Sequence, residues 1–151
     1  MDLDPAKPEG FKGLEGQFDT VIALNVLESL EDPIATLRAA YSTLLPGGRI
    51  ILQLPQCKKR FGTLDQERGR RTRFEADEVR KMMEDAAFRV ESVADFNRMS
   101  VPGWLLNGKL LGRKRFSRLQ LKVLDTVLPL MRRIEGIWPW KGLSLIAIGV
   151  K

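Results

Sequence analysis

Residues 18–53 hold the pattern that most restricts the fold: two short apolar runs on either side of a helical segment. The run 20–26 is apolar, rich in β-branched residues and too short for an ordinary helix. It therefore predicts a strand buried on both faces, as in parallel sheets. Asp32 and Pro33 then match the N-cap and first position of a helix. A Pro-Gly-Gly sequence ends that helix and a second apolar strand follows, so the segment predicts a β-α-β unit and an α/β fold.

The later part of the chain predicts one more helix and two more strands. A capping box from Thr72 to Glu75 marks the start of the helix, and residues 88–96 and 143–150 have strand patterns. The apolar positions that predict the buried faces of the two helices are Ile34, Leu37, Tyr41, Leu44 and Leu45 in the first, and Val79, Met82, Met83 and Ala86 in the second. The stretch 55–71 is predicted to be a polar, basic loop.

Composition narrows the chemistry that is open to this chain. It has no histidine, which argues against histidine-containing zinc sites, Ser-His-Asp triads and histidine bases. Its single cysteine, Cys57, leaves no internal disulfide and fits a reducing compartment. Catalysis would have to rest on carboxylates, a hydroxyl, a lysine, Cys57 or a cofactor that arrives already activated.

Four short motifs resemble one family when they are read in order. Phe18-Asp19, Asn25-Val26-Leu27-Glu28, Glu31-Asp32 and Leu45-Pro46-Gly47-Gly48 look like the fourth strand, next helix and fifth strand of class I S-adenosylmethionine-dependent methyltransferases. The resemblance implies a partial Rossmann-like sheet in one domain, residues 1–151. It also implies that the last strand runs antiparallel between the fifth strand and the sixth. The cofactor would be S-adenosylmethionine.

The resemblance covers only the second half of the family's domain. Nothing before Phe18 matches the first strand and glycine-rich loop that hold the cofactor in the family. The chain is therefore expected to be a truncated methyltransferase, with 20–26 as an outer strand of the sheet. Such an edge, without lysine or proline, is expected to pair in a homodimer, pair with the missing N-terminal half, or aggregate.

Site residues are implied by the same resemblance. The implied cofactor-binding residues are Asp2, Ala23, Leu24, Asn25, Val26 and Leu27. The implied catalytic residues are Glu28 and Ser29. The residues implied to contact the methyl acceptor are Arg70, Arg71, Arg73, Asn97 and Trp104. For Asn25 and Glu28 a structural role at a strand end or helix start stays open. The arginines also fit a solvated basic face, and Trp104 fits ordinary packing. Many relatives have histidine at the position of Ser29, and a serine is no general base at neutral pH.

Residues 102–136 form a helical region that is both apolar and basic. Between Lys109 and Arg133 one acid, Asp125, stands against eight basic residues. The region predicts either a helical lid over the substrate pocket or a surface that lies on an anionic membrane. Nucleic acid is the least favoured partner, because no alternation of aromatic and basic residues accompanies the tryptophans.

The resemblance implies methyl transfer to an oxygen or nitrogen of a small or lipid-linked acceptor. The chain alone is expected to have weak activity or none. The other interpretation is an inactive methyltransferase remnant that serves as an interaction or oligomerisation module. No signal peptide or membrane-spanning run is present in the sequence, so a cytoplasmic location is predicted, with peripheral membrane contact through residues 102–136.

Overall fold

The computed structural model describes residues 4–101, 104, 126 and 140–151. It confirms the α/β class: a four-stranded mixed sheet with flanking helices. The strands are β1 (Phe18–Leu24), β2 (Leu44–Pro55), β3 (Arg89–Phe96) and β4 (Ser144–Val150). The helices are α1 (Pro33–Thr43), α2 (Thr63–Glu67) and α3 (Ala76–Asp85).

The order of the strands across the sheet is β1-β2-β4-β3. β1 and β2 are parallel and are connected through α1, as the strand-helix-strand pattern predicts. β4 lies between β2 and β3 and is antiparallel to both, so the predicted insertion of the last strand is confirmed. Because β1 and β2 run in the same direction, their carboxyl ends meet at one edge of the sheet.

β1 is the outer strand beside β2, and this also confirms a prediction. The expectation that both of its faces are buried is wrong. Val21 and Ala23 pack against the core, whereas Ile22 is 61% exposed and Leu24 is 56% exposed. The apolar run reflects the character of the strand, but burial of its second face would need a layer that the described residues do not supply.

α1 begins as predicted and ends earlier than its apolar pattern suggests. Asp32 caps the helix by accepting a hydrogen bond from Ala35 N at 2.9 Å, and Pro33 is its first residue. β2 begins directly at Leu44, so Leu44 and Leu45 belong to the strand and not to the face of the helix. Gly48 allows this tight passage, because a Cβ there would lie 3.0 Å from Asp19 O.

The predicted capping box of α3 is displaced by one turn. Thr72 does not cap the helix; Glu75 is the N-cap residue, and its N–H donates to Glu78 Oε2 at 3.0 Å. The predicted buried face, Val79, Met82, Met83 and Ala86, is confirmed. The segment predicted to be a loop contains the five-residue helix α2, which is too short to leave a periodic signal in the sequence.

The core lies between the sheet and the pair α1 and α3. Its buried members include Leu37, Ile50, Leu52, Leu54, Val79, Met83, Phe88, Leu145 and Ala147. Gly149 of β4 permits close contact with α3, since a Cβ there would be 2.6 Å from Met83 Cε. The predicted helical region 102–136 lies outside the described residues except for Trp104 and Thr126. In the described ranges, no helix combines the length and apolarity needed to cross a membrane.

Candidate functional site

The candidate site lies where the parallel strands β1 and β2 end. Asn25 follows β1 with a φ of 54°, and Cys57 follows β2 with a φ of 70°. Left-handed backbone at residues other than glycine is uncommon, and asparagine is among the residues that tolerate it best. The backbone changes direction at Asn25 and at Cys57, so the segments that follow β1 and β2 cross the ends of these strands. These segments, 25–29 and 56–75, supply the polar side chains of the site.

Arg70 joins the two segments through its guanidinium group. It donates to Asn25 Oδ1 at 3.0 Å, to Glu28 Oε1 at 3.1 Å and to Asp65 Oδ1 at 3.2 Å. Glu28 and Asp65 are buried, and the Arg70 side chain is only 11% exposed. Three charge-assisted hydrogen bonds of this kind fix the position of a guanidinium firmly. Arg70 therefore ties the end of β1 to the segment that follows β2.

Arg73 forms the deeper half of the same cluster. Its Nε donates to Asp65 Oδ2 at 2.9 Å, and its Nη1 donates to Gln56 O at 2.9 Å. The side chain is fully buried, and the ring of Trp104 covers it, with the guanidinium carbon 4.6 Å from the ring centroid. A buried arginine is tolerated when paired and stacked in this way. Arg73 is thus committed to internal contacts.

The electrostatics of the cluster set Glu28 apart. Only 1% of this residue is exposed, and its Oε2 atom has no hydrogen-bond partner among the described residues. Burial, the larger influence, raises the pKa of Glu28 above the ordinary glutamate value, against the lowering effect of a backbone hydrogen bond and Arg70. Burial likewise lowers the pKa of Arg73. Glu28 is consequently a poor candidate for a freely titrating base at the surface.

A pocket of about 440 Å³ opens beside this cluster. Its lining residues are Ala6, Ser29, Leu30, Glu31, Asp32, Ala35, Thr36 and Arg71. Arg71 pairs with Glu31 at 2.7 Å across exposed side chains, and its backbone N–H donates to Glu28 O at 2.9 Å. The volume is within the range of small-molecule sites. The pocket therefore connects Ser29 with solvent next to the end of β1.

The structure brings most of the implied site residues to one end of the sheet. Asn25, Glu28, Arg70, Arg73 and Trp104 form the cluster, while Ser29 and Arg71 line the pocket. Asn97 follows β3 at the same end, where its side chain accepts a hydrogen bond from Ser100 and its carbonyl accepts one from Leu143 N.

The implied cofactor residues differ in how far they are open. Ala23 packs toward the core, Leu27 is buried, Val26 is half-buried and Leu24 is exposed. Asp2 lies outside the described residues. Ala23 and Leu27 could therefore meet a ligand through their backbone only.

Asp65 is the residue that sequence reasoning missed. It is fully buried, accepts from both Arg70 and Arg73, and also accepts from Gly62 N at 3.1 Å at the start of α2. The local signal was a Gly-Thr-Leu-Asp sequence with an acid at the third helical position. In the described ranges, no group of three or more acidic or cysteine side chains could hold a metal ion.

Comparison with known proteins gives one family. Residues 1–93 match the family model described as a methyltransferase domain. No curated protein matches the chain in sequence. Among solved structures, a SAM-dependent methyltransferase from Archaeoglobus fulgidus is similar, with a TM-score of 0.61, 14% identity, and 100% of this chain and 66% of that chain covered.

Two further similar structures contain a ligand or a partner. Phosphoethanolamine N-methyltransferase 2 of Haemonchus contortus, in complex with S-adenosyl-L-methionine, has a TM-score of 0.52 and 15% identity, with 91% of this chain and 34% of that chain covered. A chain from the complex between the Haloferax volcanii Trm112 methyltransferase activator and a methyltransferase has a TM-score of 0.55 and 16% identity, with coverages of 90% and 55%. The chain thus spans between 34% and 66% of the length of these proteins, and at such identities the likeness shows a common fold.

Proposed function

Because the chain belongs to the methyltransferase-domain family, whose model matches residues 1–93, we propose that it binds S-adenosylmethionine at the carboxyl ends of β1 and β2 and takes part in methyl transfer. The observation that supports this is the convergence of Asn25, Glu28 and Arg70 at the ends of two parallel strands beside an open pocket. Ligands of open α/β sheets bind at this position.

The residues present fit the methionine end of the proposed cofactor. The exposed Leu24 side chain and the backbone of 25–27 offer an apolar surface for the methionine carbons and amide groups for the amino acid moiety. The positive charges of Arg70 and Arg73 are offset by Glu28 and Asp65, so the site does not present an unbalanced cation to a sulfonium. When bound, S-adenosylmethionine supplies a methyl carbon that its positive sulfur has already activated.

In the proposed reaction, the side chains of the site orient the reactants and exclude water from them, and they contribute less by transferring protons. Glu28 is buried and bonded to Arg70, so it supports the loop and does not take a proton from an acceptor. Ser29 is exposed on the pocket and its hydroxyl can orient an acceptor by a hydrogen bond. S-adenosylmethionine held beside Leu24 and the backbone of 25–27 would supply the methyl group, and water would take the proton that the acceptor oxygen or nitrogen loses.

The acceptor in this proposal is small or lipid-linked. The 440 Å³ pocket beside Ser29 has room for a small polar molecule, and Arg71 at its rim is the arginine of the implied set whose side chain is most open to solvent. An anionic group of the acceptor would compete with Glu31 for this guanidinium, and such an exposed pair holds its partner weakly. Arg73, being fully buried, would act on the acceptor only through the cluster.

Calorimetric titration with S-adenosylhomocysteine tests the cofactor part of the proposal. Micromolar binding by the 151-residue chain would support it, and the absence of binding at millimolar ligand would refute it for this chain. Asn25→Gly keeps the left-handed backbone and removes the amide, so we expect weaker binding. Ala87→Gly is the matched control, since it relieves a similar φ of 72° in the turn before β3.

A second candidate function, an interaction or oligomerisation module without catalysis, is favoured by one feature. β1 leaves one edge and one apolar face open, with Ile22 and Leu24 more than half exposed. The similar methyltransferase that forms a complex with an activator protein gives a parallel for protein partnering. Association that persists when S-adenosylhomocysteine does not bind would favour this function over the enzyme.

Contact between the basic region 102–136 and a membrane surface stays a prediction, since that region lies outside the described residues except for Trp104 and Thr126. The lid interpretation stays beside it. Co-sedimentation with vesicles that contain anionic lipid, at low and at high salt, separates the two: membrane contact requires binding that salt weakens. If the chain does not bind these vesicles at low salt, the membrane interpretation is refuted and the lid interpretation remains.

A further inference from the structure

In the part of the chain that the structure describes, no strand pairs with the outer edge of β1, which leaves backbone groups unpaired there. Asn25 N donates to Gln53 O at 2.8 Å, which fixes the side of the strand that pairs with β2. In a parallel ladder, alternate residues direct both backbone groups to the same neighbour, so Val21 and Ala23 also face β2. Thr20, Ile22 and Leu24 therefore direct their N–H and C=O groups away from the sheet.

The side chains along this edge are not those that protect an outer strand. Phe18 is 41% exposed, Ile22 is 61% exposed and Leu24 is 56% exposed, all without a covering layer from the described residues. β1 contains no lysine, arginine or proline, and its one charged residue is Asp19. An open edge with apolar side chains readily adds another strand.

We propose that two copies of this chain associate through β1, antiparallel about a two-fold axis, so that their sheets join into one of eight strands. In the register centred on Val21, Phe18 of one copy lies opposite Leu24 of the other, and Thr20 lies opposite Ile22. The outward backbone groups of each strand then meet those of its copy, and the exposed apolar side chains become neighbours. This proposal is independent of cofactor binding.

The charges of β1 favour this arrangement over a parallel one. In the antiparallel register Asp19 faces Ala23, and the two carboxylates lie about four residues, or roughly 14 Å, apart along the strands. At that distance salt screens their repulsion. A parallel pair in register would place Asp19 directly opposite Asp19, where like charges destabilise the pair.

The area available predicts a weak, reversible dimer. Three partly exposed apolar side chains and seven residues of backbone bury on the order of 400 Å² per copy, about half of the ~800 Å² per partner in a standard interface. A continuous ladder of hydrogen bonds adds affinity to this small area. We therefore expect monomer and dimer to exchange at micromolar concentrations.

Sedimentation of the whole chain between about 1 and 200 µM, the range in which an interface of this size dissociates, tests the proposal. The expected result is a monomer–dimer equilibrium with no larger species. Ile22→Lys adds a charge to the open edge and should leave a monomer throughout. Ser92→Lys is the matched control, because Ser92 lies in the same row of the sheet, through Ile51 and Ile148, but on the opposite outer strand. It should remain dimeric.

Hydrogen exchange of the unsubstituted chain gives a second measurement that needs no variant. The amides of Thr20, Ile22 and Leu24 should exchange quickly in dilute samples and at least tenfold more slowly when the dimer predominates. The amides of Val21 and Ala23 should not change. A monomer at every concentration, open-ended oligomers, or dissociation by Ser92→Lys instead of Ile22→Lys would overturn the proposal, whether or not the chain binds S-adenosylhomocysteine.

Discussion

Among single residues, Arg70 has the greatest influence on the shape of the site. Its three hydrogen bonds connect Asn25 and Glu28 with Asp65, across more than 40 residues of sequence for the first two. Burial of these charges removes the water that would otherwise replace a lost partner. Loss of Arg70 would therefore leave the Glu28 carboxylate buried without a charged partner and Asp65 paired with Arg73 alone. The exposed pair of Arg71 and Glu31 is solvated in any case.

This contrast gives a prediction for two neighbouring arginines. Arg70→Ala should lower the free energy of unfolding by about 3 kcal/mol, as expected for one partner of a buried pair. Arg71→Ala, the matched control, should lower it by less than about 1 kcal/mol. Urea unfolding measures both. A double-mutant cycle with Glu28→Gln should show coupling for Arg70 and none for Arg71; equal losses at the two arginines would contradict the assignment.

Glu28 also predicts how stability depends on pH. Because burial raises its pKa in the folded state, the folded chain holds the proton to a higher pH than the unfolded chain does. The contribution of Glu28 to the stability of the folded chain is therefore fully present below the pKa of Glu28 in the unfolded chain. It is lost as pH rises through the pKa of Glu28 in the folded chain. The unfolding free energy of the parent chain, relative to Glu28→Gln, should fall over that window. A difference that rises with pH would show that Arg70 outweighs burial.

Among the elements, α1 is the one whose start the sequence predicts best. An N-cap is a local arrangement, so Asp32 and Pro33 carry the signal within a few residues. The same logic misplaced the start of α3, where Glu75 caps the helix although Thr72 fits the pattern. Phe74 pairs with Gln56 as an extended residue and is buried, which places Thr72 and Arg73 outside the helix.

The cap of α1 can be tested by substitution. Asp32→Ala removes the acceptor for Ala35 N and should lower the free energy of unfolding by about 1 kcal/mol. Asp32→Asn keeps an acceptor oxygen at the same place, so it should lower the free energy of unfolding by only a few tenths of the loss caused by Asp32→Ala. Thermal unfolding of the two variants gives the comparison. A loss that is the same for both would assign the effect to the charge of Asp32 and not to its hydrogen bond.

The site was less predictable than the elements, because it depends on contacts between distant segments. The sequence placed Asn25 and Glu28 correctly at the end of β1, since strand ends follow from local patterns. It could not pair Arg70 with them, nor identify Asp65, because nothing local records which charges meet after folding. The prediction that both faces of β1 are buried was wrong for a related reason, because burial depends on which layers pack against the sheet.

At the scale of the whole molecule, the position of each strand in the sheet predicts how strongly its amides are protected from hydrogen exchange. Among the described strands, β2 and β4 have a paired strand on both sides, whereas β1 and β3 have one each. Inner strands open only with the global unfolding of the sheet. Amides of Leu52 and Ala147, which lie between the two inner strands, should therefore exchange most slowly, and those of β3 that face β4, such as Ala94, should exchange earlier. Native-state hydrogen exchange measures this order, and a slower β3 than β2 would contradict the observed topology.

The stacking of Trp104 on the arginine cluster has an optical consequence. Its indole ring is 3% exposed and faces the guanidinium groups of Arg68, Arg70 and Arg73 at 5.3, 6.0 and 4.6 Å from the ring centroid. An indole in such a dry setting, stacked on paired guanidinium groups, emits at a different wavelength from one in water. With Trp138 and Trp140 replaced by phenylalanine, the fluorescence of this ring would report on the cluster alone, so that the proposed ligand binding at the ends of β1 and β2 could be followed.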